Sequence, residues 1–145
     1  MQEGRGTYYW ANGTKYIGDF KQDNKDGYGI CYYDIGNGRQ EKYIGEFRND
    51  LRNGIGIYYY SSGNIYSGGW KNGKKDGKGV FYWNEEKWKG DRYEGGWKED
   101  ERDGDGVYYS ANGDKQMGRY SNGAAVGTFA KLNSYGVVTS LHYNK

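Results

Sequence analysis

Side chains along this chain alternate in short runs with a period of two. In Tyr16-Ile17-Gly18-Asp19-Phe20 the two rings stand four places apart with Gly18 between them on the same face, the pattern of a strand that buries one face. Comparable runs recur to the C-terminus. Between them lie Ala11-Asn12-Gly13-Thr14, Ser61-Ser62-Gly63-Asn64 and Ala111-Asn112-Gly113-Asp114. Asn-Gly and Ser-Gly are hairpin chemistry, because glycine accepts the positive φ of a tight turn. The other connections, such as Lys71-Asn72-Gly73-Lys74-Lys75-Asp76, are polar and glycine-containing too. Each unit therefore reads strand, turn, strand, turn. The prediction is an all-β fold, an elongated, twisted, antiparallel single-sheet meander of β-hairpins with about 12 strands.

Two marks repeat through these runs. The first, aromatic-x-Gly-x-aromatic, occurs at Tyr16-Gly18-Phe20, Tyr43-Gly45-Phe47, Tyr66-Gly68-Trp70 and Tyr93-Gly95-Trp97, with a decayed copy at Gln116-Gly118-Tyr120. The second, Gly-x-Gly, occurs at Gly4/Gly6, Gly27/Gly29, Gly54/Gly56, Gly77/Gly79 and Gly104/Gly106, with a decayed copy assigned to Ala125/Gly127. In every complete unit nine residues lead from the glycine of the first mark to the first glycine of the second, while the whole period alternates between 23 and 27. The extra residues fall in one connection, Asp34 to Lys42 and Asn84 to Arg92, and should project at two spaced points on the same side. After each second glycine comes Thr7, Ile30, Ile57, Val80, Val107 or Thr128, then Tyr8, Cys31, Tyr58, Phe81, Tyr108 or Phe129, then Tyr9, Tyr32, Tyr59, Tyr82 or Tyr109, with Ala130 in the last unit. Neighbouring strand residues point to opposite faces, so both faces of the sheet carry aromatic columns. Glycine weakens a strand interior, and its fixed recurrence suggests that a ring from the adjacent strand passes over the backbone there.

Composition changes the picture of what holds such a sheet together. Only 15 residues are Ile, Val or Leu, against 27 Gly and 27 Phe, Trp or Tyr. The core is therefore thin, aromatic and close to solvent, and each tyrosine hydroxyl needs water or a partner. Charge is nearly balanced, 21 basic against 19 acidic residues, which gives no nucleic-acid footprint. Locally, Lys71 to Lys78 holds four lysines and one Asp, and Glu99 to Asp105 five acids and one Arg. The single cysteine, Cys31, excludes an internal disulfide and a zinc site of several thiolates. No apolar run approaches transmembrane length and no signal peptide is visible. A cytoplasmic protein is expected, with membrane or cytoskeletal association left open.

Catalytic chemistry is hard to find. Cys31 and His142 stand in different units, so a thiol-imidazole dyad needs the array to fold back on itself. The carboxylates sit mostly in turns, with no cleft to raise the pKa of one of a pair. Glu99 to Asp105 lacks the alternating ligands and closing Glu of an EF-hand loop. The Gly-x-Gly marks open no helix and precede no Lys-Ser/Thr, so they are not phosphate loops. No catalytic residue, cofactor or metal site is predicted.

A Tyr-x-Gly-x-Phe/Trp motif followed nine residues later by Gly-x-Gly resembles the MORN (membrane occupation and recognition nexus) repeat. The four complete copies start at Tyr16, Tyr43, Tyr66 and Tyr93, and the resemblance covers residues 4 to 129. It departs at Gln116 and Ala125. The organisation expected is one array over residues 1–145: a partial unit at 4–15, the four units, a degenerate unit at 116–129 and a capping hairpin at 128–145 around Asn133-Ser134-Tyr135-Gly136. The resemblance implies a hairpin rod or groove that acts as an adaptor, binds partner peptides along aromatic surface, and in some members dimerises or contacts acidic phospholipid. Family members also stand beside lipid kinase or lysine methyltransferase domains, and no such domain is read here. The leading expectation is a non-catalytic scaffold that binds a protein or peptide partner through Tyr16, Phe20, Tyr43, Phe47, Tyr66, Trp70, Tyr93 and Trp97. An acidic phospholipid surface met by Lys71, Lys74, Lys75 and Lys78 is the second class and carbohydrate the third. A homodimer is a further alternative, and the face that docks is left open.

Overall fold

A computed structural model describes residues 3–144; the expected array limits at residues 1 and 145 lie outside them. Twelve strands form one antiparallel sheet in strict sequence order. They are β1 (Gly4–Tyr9), β2 (Lys15–Lys21), β3 (Asn24–Gly36), β4 (Arg39–Arg48), β5 (Leu51–Tyr59), β6 (Ile65–Lys71), β7 (Lys74–Tyr82), β8 (Arg92–Lys98), β9 (Glu101–Tyr109), β10 (Lys115–Ser121), β11 (Ala124–Leu132) and β12 (Val138–Asn144). Among the described residues there is no helix. All substantial contacts join strands adjacent in sequence, and at about 4.8 Å per strand the sheet extends roughly 50 Å across.

Two kinds of turn alternate. At one edge sit five two-residue turns, Gln22-Asp23, Asn49-Asp50, Asn72-Gly73, Glu99-Asp100 and Asn122-Gly123, with φ between 48° and 86° at every position. Two successive positive φ values match the twist of the flanking strands. At the other edge sit the longer connections. The two insertions both emerge there but differ: Asp34 to Lys42 mostly continues β3 and β4 around Asn37-Gly38, while 84–91 is a loop of turns.

The two glycines of Gly-x-Gly do different work. Each hairpin with a tight turn slips register between the strands, for example between Gly68 and Trp70 of β6 against β7. Gly77 stands at that bulge with φ 90°, a conformation glycine adopts without a Cβ penalty. Gly79 instead lies beneath the Tyr66 ring of β6, and a Cβ there would overlap the ring. The same overlap would arise at Gly29 with Tyr16, Gly56 with Tyr43 and Gly106 with Tyr93.

One face, hereafter the ring face, holds the core. Phe20, Tyr16, Phe47, Tyr43, Trp70, Tyr66, Trp97, Tyr93, Tyr120 and Phe129 form an unbroken chain of edge-to-face contacts with centroids 5.0–5.4 Å apart, the arrangement favoured by ring quadrupoles. The buried hydroxyls are satisfied locally. Tyr16, Tyr43, Tyr66 and Tyr93 donate to the carbonyls of Asp19, Glu46, Gly69 and Gly96, three residues on, at 2.8–3.2 Å.

The last unit departs from the expected alignment. Counted nine residues from Gly118, the first glycine is Gly127, which has the positive φ of its counterparts; Ala125 is not a lost glycine. The second glycine position is then Phe129. Its ring lies over Gly118 and packs edge-on to Tyr120 at 5.3 Å, filling the place left without a ring by Gln116.

Candidate functional site

The eight rings expected to grip a partner are all in the core. Tyr16, Tyr43, Tyr66 and Tyr93 are 0% exposed, and Phe20, Phe47, Trp70 and Trp97 at most 8%. They hold the sheet together and offer no docking surface, because each is enclosed by its neighbours in the ring chain and by the glycine beneath it.

Partly exposed rings flank that chain. Toward the longer connections, Tyr33, Tyr58, Tyr60, Phe81, Trp83 and Tyr108 touch in succession at 4.5–5.9 Å, tilted or stacked. Tyr8 and Trp10, 4.6 Å apart, continue the line at the β1 end. Cys31, fully buried in the column between Tyr8 and Tyr58, interrupts it. Apart from Tyr58, these rings only pack against the core and retain accessible surface. The connections beside them are fixed. Glu41 accepts from Tyr58 Oη at 2.7 Å and from Ser61 N at 3.0 Å. Asp91, fifty residues on, accepts from Tyr108 Oη at 2.6 Å and from Ala111 N at 2.8 Å. Burial and the facing carboxylate push the Tyr58 and Tyr108 hydroxyls up in pKa, so both remain donors at neutral pH.

Sequence reasoning missed a column of cations inside the ring face. Lys25, Arg52, Lys75 and Arg102 each stand two residues before the first glycine of a Gly-x-Gly mark, opposite Phe20, Phe47, Trp70 and Trp97 in the register. Each is enclosed by rings. Arg52 lies 4.9 Å from the Tyr58 and Trp70 centroids, and Lys75 5.3–5.7 Å from those of Tyr60, Tyr66, Phe81 and Trp97. Desolvation lowers the Lys75 pKa, against the opposing pull of Asp100. These contacts are cation–π packing.

The type of cation follows the next tight turn. Where the turn ends in aspartate the cation is lysine: Asp50 Oδ1 accepts from Lys25 N at 2.7 Å and Asp100 Oδ1 from Lys75 N at 2.8 Å, with each ammonium within 4.0 Å of the same carboxylate. Where it ends in glycine the cation is arginine, which donates to the turn carbonyl: Arg52 to Gly73 O at 2.8 Å and Arg102 to Gly123 O at 3.1 Å.

Lys75 therefore cannot serve as a lipid contact, since its ammonium is enclosed by rings and Asp100. Lys71, Lys74 and Lys78 are exposed on the opposite face beside the Asn72-Gly73 turn. That far face carries Ile17, Ile30, Ile44, Ile57, Val80 and Val107 as a central column. Beside it tyrosines alternate with cations, as in Lys15 at 4.9 Å from the Tyr32 ring, Lys42 at 4.6 Å from Tyr59 and Arg92 at 3.7 Å from Tyr109. Cys31 on β3 and His142 on β12 are nine strands apart. Among the described residues no three His, Cys, Asp or Glu side chains converge as a metal site would require.

A single-sheet array of hairpins, four of them closed by a tyrosine over a glycine, is a linear β-repeat architecture. The family model for the MORN repeat matches residues 1–15, 16–38, 43–65, 66–85 and 93–115, and the chain belongs to the MORN repeat family. Repeats of this family are generally associated with membrane or protein binding and are generally non-enzymatic. No curated protein matches the chain.

Proposed function

We propose that this chain is a non-catalytic adaptor that docks a protein partner across the ring face, on the stripe from Tyr33 to Tyr108. The observation that carries this is the run of touching rings, all but Tyr58 partly exposed, bordered by connections that Glu41 and Asp91 hold in place. Such rings offer large apolar area at low entropic cost and anchor interfaces well. Capture of binding partners by the parent protein is to be compared with Tyr33→Ser/Trp83→Ser and with a far-face control, Tyr28→Ser/Tyr82→Ser, each shown folded by circular dichroism. Loss of a partner only with the first pair is expected. Loss only with the control pair assigns docking to the far face.

A second reading has its own observation. Lys21, Arg48, Lys71 and Lys98 immediately precede four successive tight turns, all exposed and without a salt bridge among the described residues. Such a row suits an acidic lipid surface, at about 1 kcal/mol per basic residue. Flotation with vesicles containing phosphatidylserine, at low and high salt, tests it. Binding that ignores acidic lipid or salt removes this reading.

A further inference from the structure

Across β1 to β5 the far face brings two unlike rows side by side. Tyr9, Lys15, Tyr32, Lys42 and Tyr59 stand directly opposite one another in the register, and two residues along the same strands stand Thr7, Ile17, Ile30, Ile44 and Ile57. Ile17 is exposed and Ile30, Ile44 and Ile57 are half-buried. Among the described residues no second layer covers them, since all substantial contacts join neighbouring strands of the one sheet. A contiguous aliphatic strip left open in this way is the mark of an interaction surface.

The charge beside that strip is unopposed. Lys15 lies 4.9 Å from the Tyr32 ring and Lys42 4.6 Å from the Tyr59 ring. A ring face positions an ammonium but leaves its N–H donors to other acceptors. Among the described residues neither ammonium has an ion pair or a hydrogen bond, and neither is a buried unpartnered atom. The carboxylates on this side of β2, β3 and β4 are engaged elsewhere: Asp19 with Arg5 and Tyr28 N, Asp26 with Asn49 N, Asp34 with Gly36 N and Glu46 with Ile55 N. Two free cations therefore border an apolar strip, which is complementary to acidic groups carried on an apolar backbone of side chains.

We propose that this surface binds an acidic segment of a partner polypeptide, its carboxylates over Lys15 and Lys42 and its apolar side chains on Ile17, Ile30, Ile44 and Ile57. The two lysines are two strands apart, about 10 Å. Acidic residues three apart in an extended segment, or two turns apart in a helix, span that distance. A nucleic acid fits less well, because the faces of Tyr32 and Tyr59 on which bases would stack already carry the ammoniums, and isoleucine offers no ring. The surface lies on the opposite side of the sheet from the Tyr33–Tyr108 stripe and at the other end of the strands from Lys21, Arg48, Lys71 and Lys98, so it depends on neither reading of those residues. It goes beyond them in giving one sheet a partner surface on each face.

The probe is a fluorescein-labelled peptide of three Glu-Glu-Leu-Leu repeats, titrated into the full chain and followed by anisotropy and by NMR of the isoleucine methyl groups. Repeats of Gln-Gln-Leu-Leu and of Glu-Glu-Ser-Ser remove the charge and the apolar side chains in turn. The expected result is saturable binding of the first peptide alone, with methyl shifts at Ile17, Ile30, Ile44 and Ile57 and none at Ile35. Lys15→Gln/Lys42→Gln, shown folded by circular dichroism, should weaken it ~3–10-fold, the worth of two exposed ion pairs. Lys74→Gln/Lys78→Gln removes as much net charge from exposed positions outside the row and should leave it unchanged. Ile44→Thr, which keeps a β-branched residue in β4, should weaken it as well. No saturable binding, equal binding of either control peptide, or an equal loss with Lys74→Gln/Lys78→Gln overturns the proposal. So does a single-stranded oligothymidylate, a vesicle containing phosphatidylserine or a second copy of the chain that occupies the row in its place, read as binding or dimerisation that Lys15→Gln/Lys42→Gln abolishes. Capture through the Tyr33–Tyr108 stripe is measured with other variants, so either idea fails without the other.

Discussion

At Gly106 and Phe129 one repeat position carries the smallest side chain in one unit and a large one in the next. Both satisfy the same requirement, a single ring above the paired glycine. Tyr93 supplies it from β8 over Gly106, whereas Phe129 supplies it from β11 over Gly118, where β10 has Gln116 in place of tyrosine. If ring and glycine are exchangeable, the exchange should be transferable. Tyr93→Gln alone opens a cavity in the ring chain and should cost about 3–5 kcal/mol. Gly106→Phe alone forces two rings into one space and should be at least as damaging. Together they should recover much of the loss, with a coupling above about 1 kcal/mol in urea denaturation of the double-mutant cycle. Additive costs would show that Phe129 is not a surrogate ring. The tyrosine-over-glycine contact was legible from the fixed spacing of the two marks. Its reversal in the last unit was not, because Gly127 was matched to the second glycine. The constant nine-residue step from Gly118 was the signal that placed it correctly.

Each tight-turn hairpin is tied to the one before it by a main-chain link and a cation. Asp100 N donates to Lys75 O at 3.0 Å, and Gly73 N to Arg52 O at 2.9 Å. The side-chain half differs, carboxylate with lysine and carbonyl with arginine, so the true structural repeat is a four-strand block of fifty residues. Asp100→Gly removes the acceptor of Lys75 N and the counter-charge of a desolvated ammonium, and should cost about 1–3 kcal/mol. Adding Lys75→Arg recreates the Arg52/Gly73 pairing. The double variant should therefore melt above Asp100→Gly alone, with thermal unfolding as the measurement. A melting temperature at or below that of Asp100→Gly would mean that the alternation of turn and cation is not energetically linked. Turn positions and the 23/27 alternation were readable as sequence because turn residues are chemically distinctive. The ring-flanked cations were not, since Lys and Arg near a turn ordinarily extend into water. Only the rings on both sides, brought together by the register, turn that expectation around for Lys25, Arg52, Lys75 and Arg102.

Over the whole molecule, a sheet without a second layer replaces an aliphatic core with phenol rings, and this makes its stability depend on tyrosine staying neutral. Burial raises the pKa of nine tyrosines, Tyr16, Tyr33, Tyr43, Tyr58, Tyr60, Tyr66, Tyr93, Tyr108 and Tyr120; Tyr60 and Tyr93 are pushed up to about 12. For an acid whose folded pKa is raised, stability is fully present below the unfolded value near 10 and is lost as pH climbs toward the folded one. Each such group removes ~1.4 kcal/mol per pH unit once the unfolded chain ionises. Nine together reach the whole stability of a typical domain, about 5–15 kcal/mol, within roughly one unit. Lys75 acts with the opposite sign, because its depressed pKa makes the cost of burying its charge fade at high pH, but it is one group against nine. The expected outcome is a sharp alkaline unfolding that begins just above pH 10, in which tyrosinate absorbance and loss of β-sheet circular dichroism coincide. Tyrosines that ionise gradually while the circular dichroism stays native would show that these rings reach solvent, and that something other than the buried ring chain holds the array together.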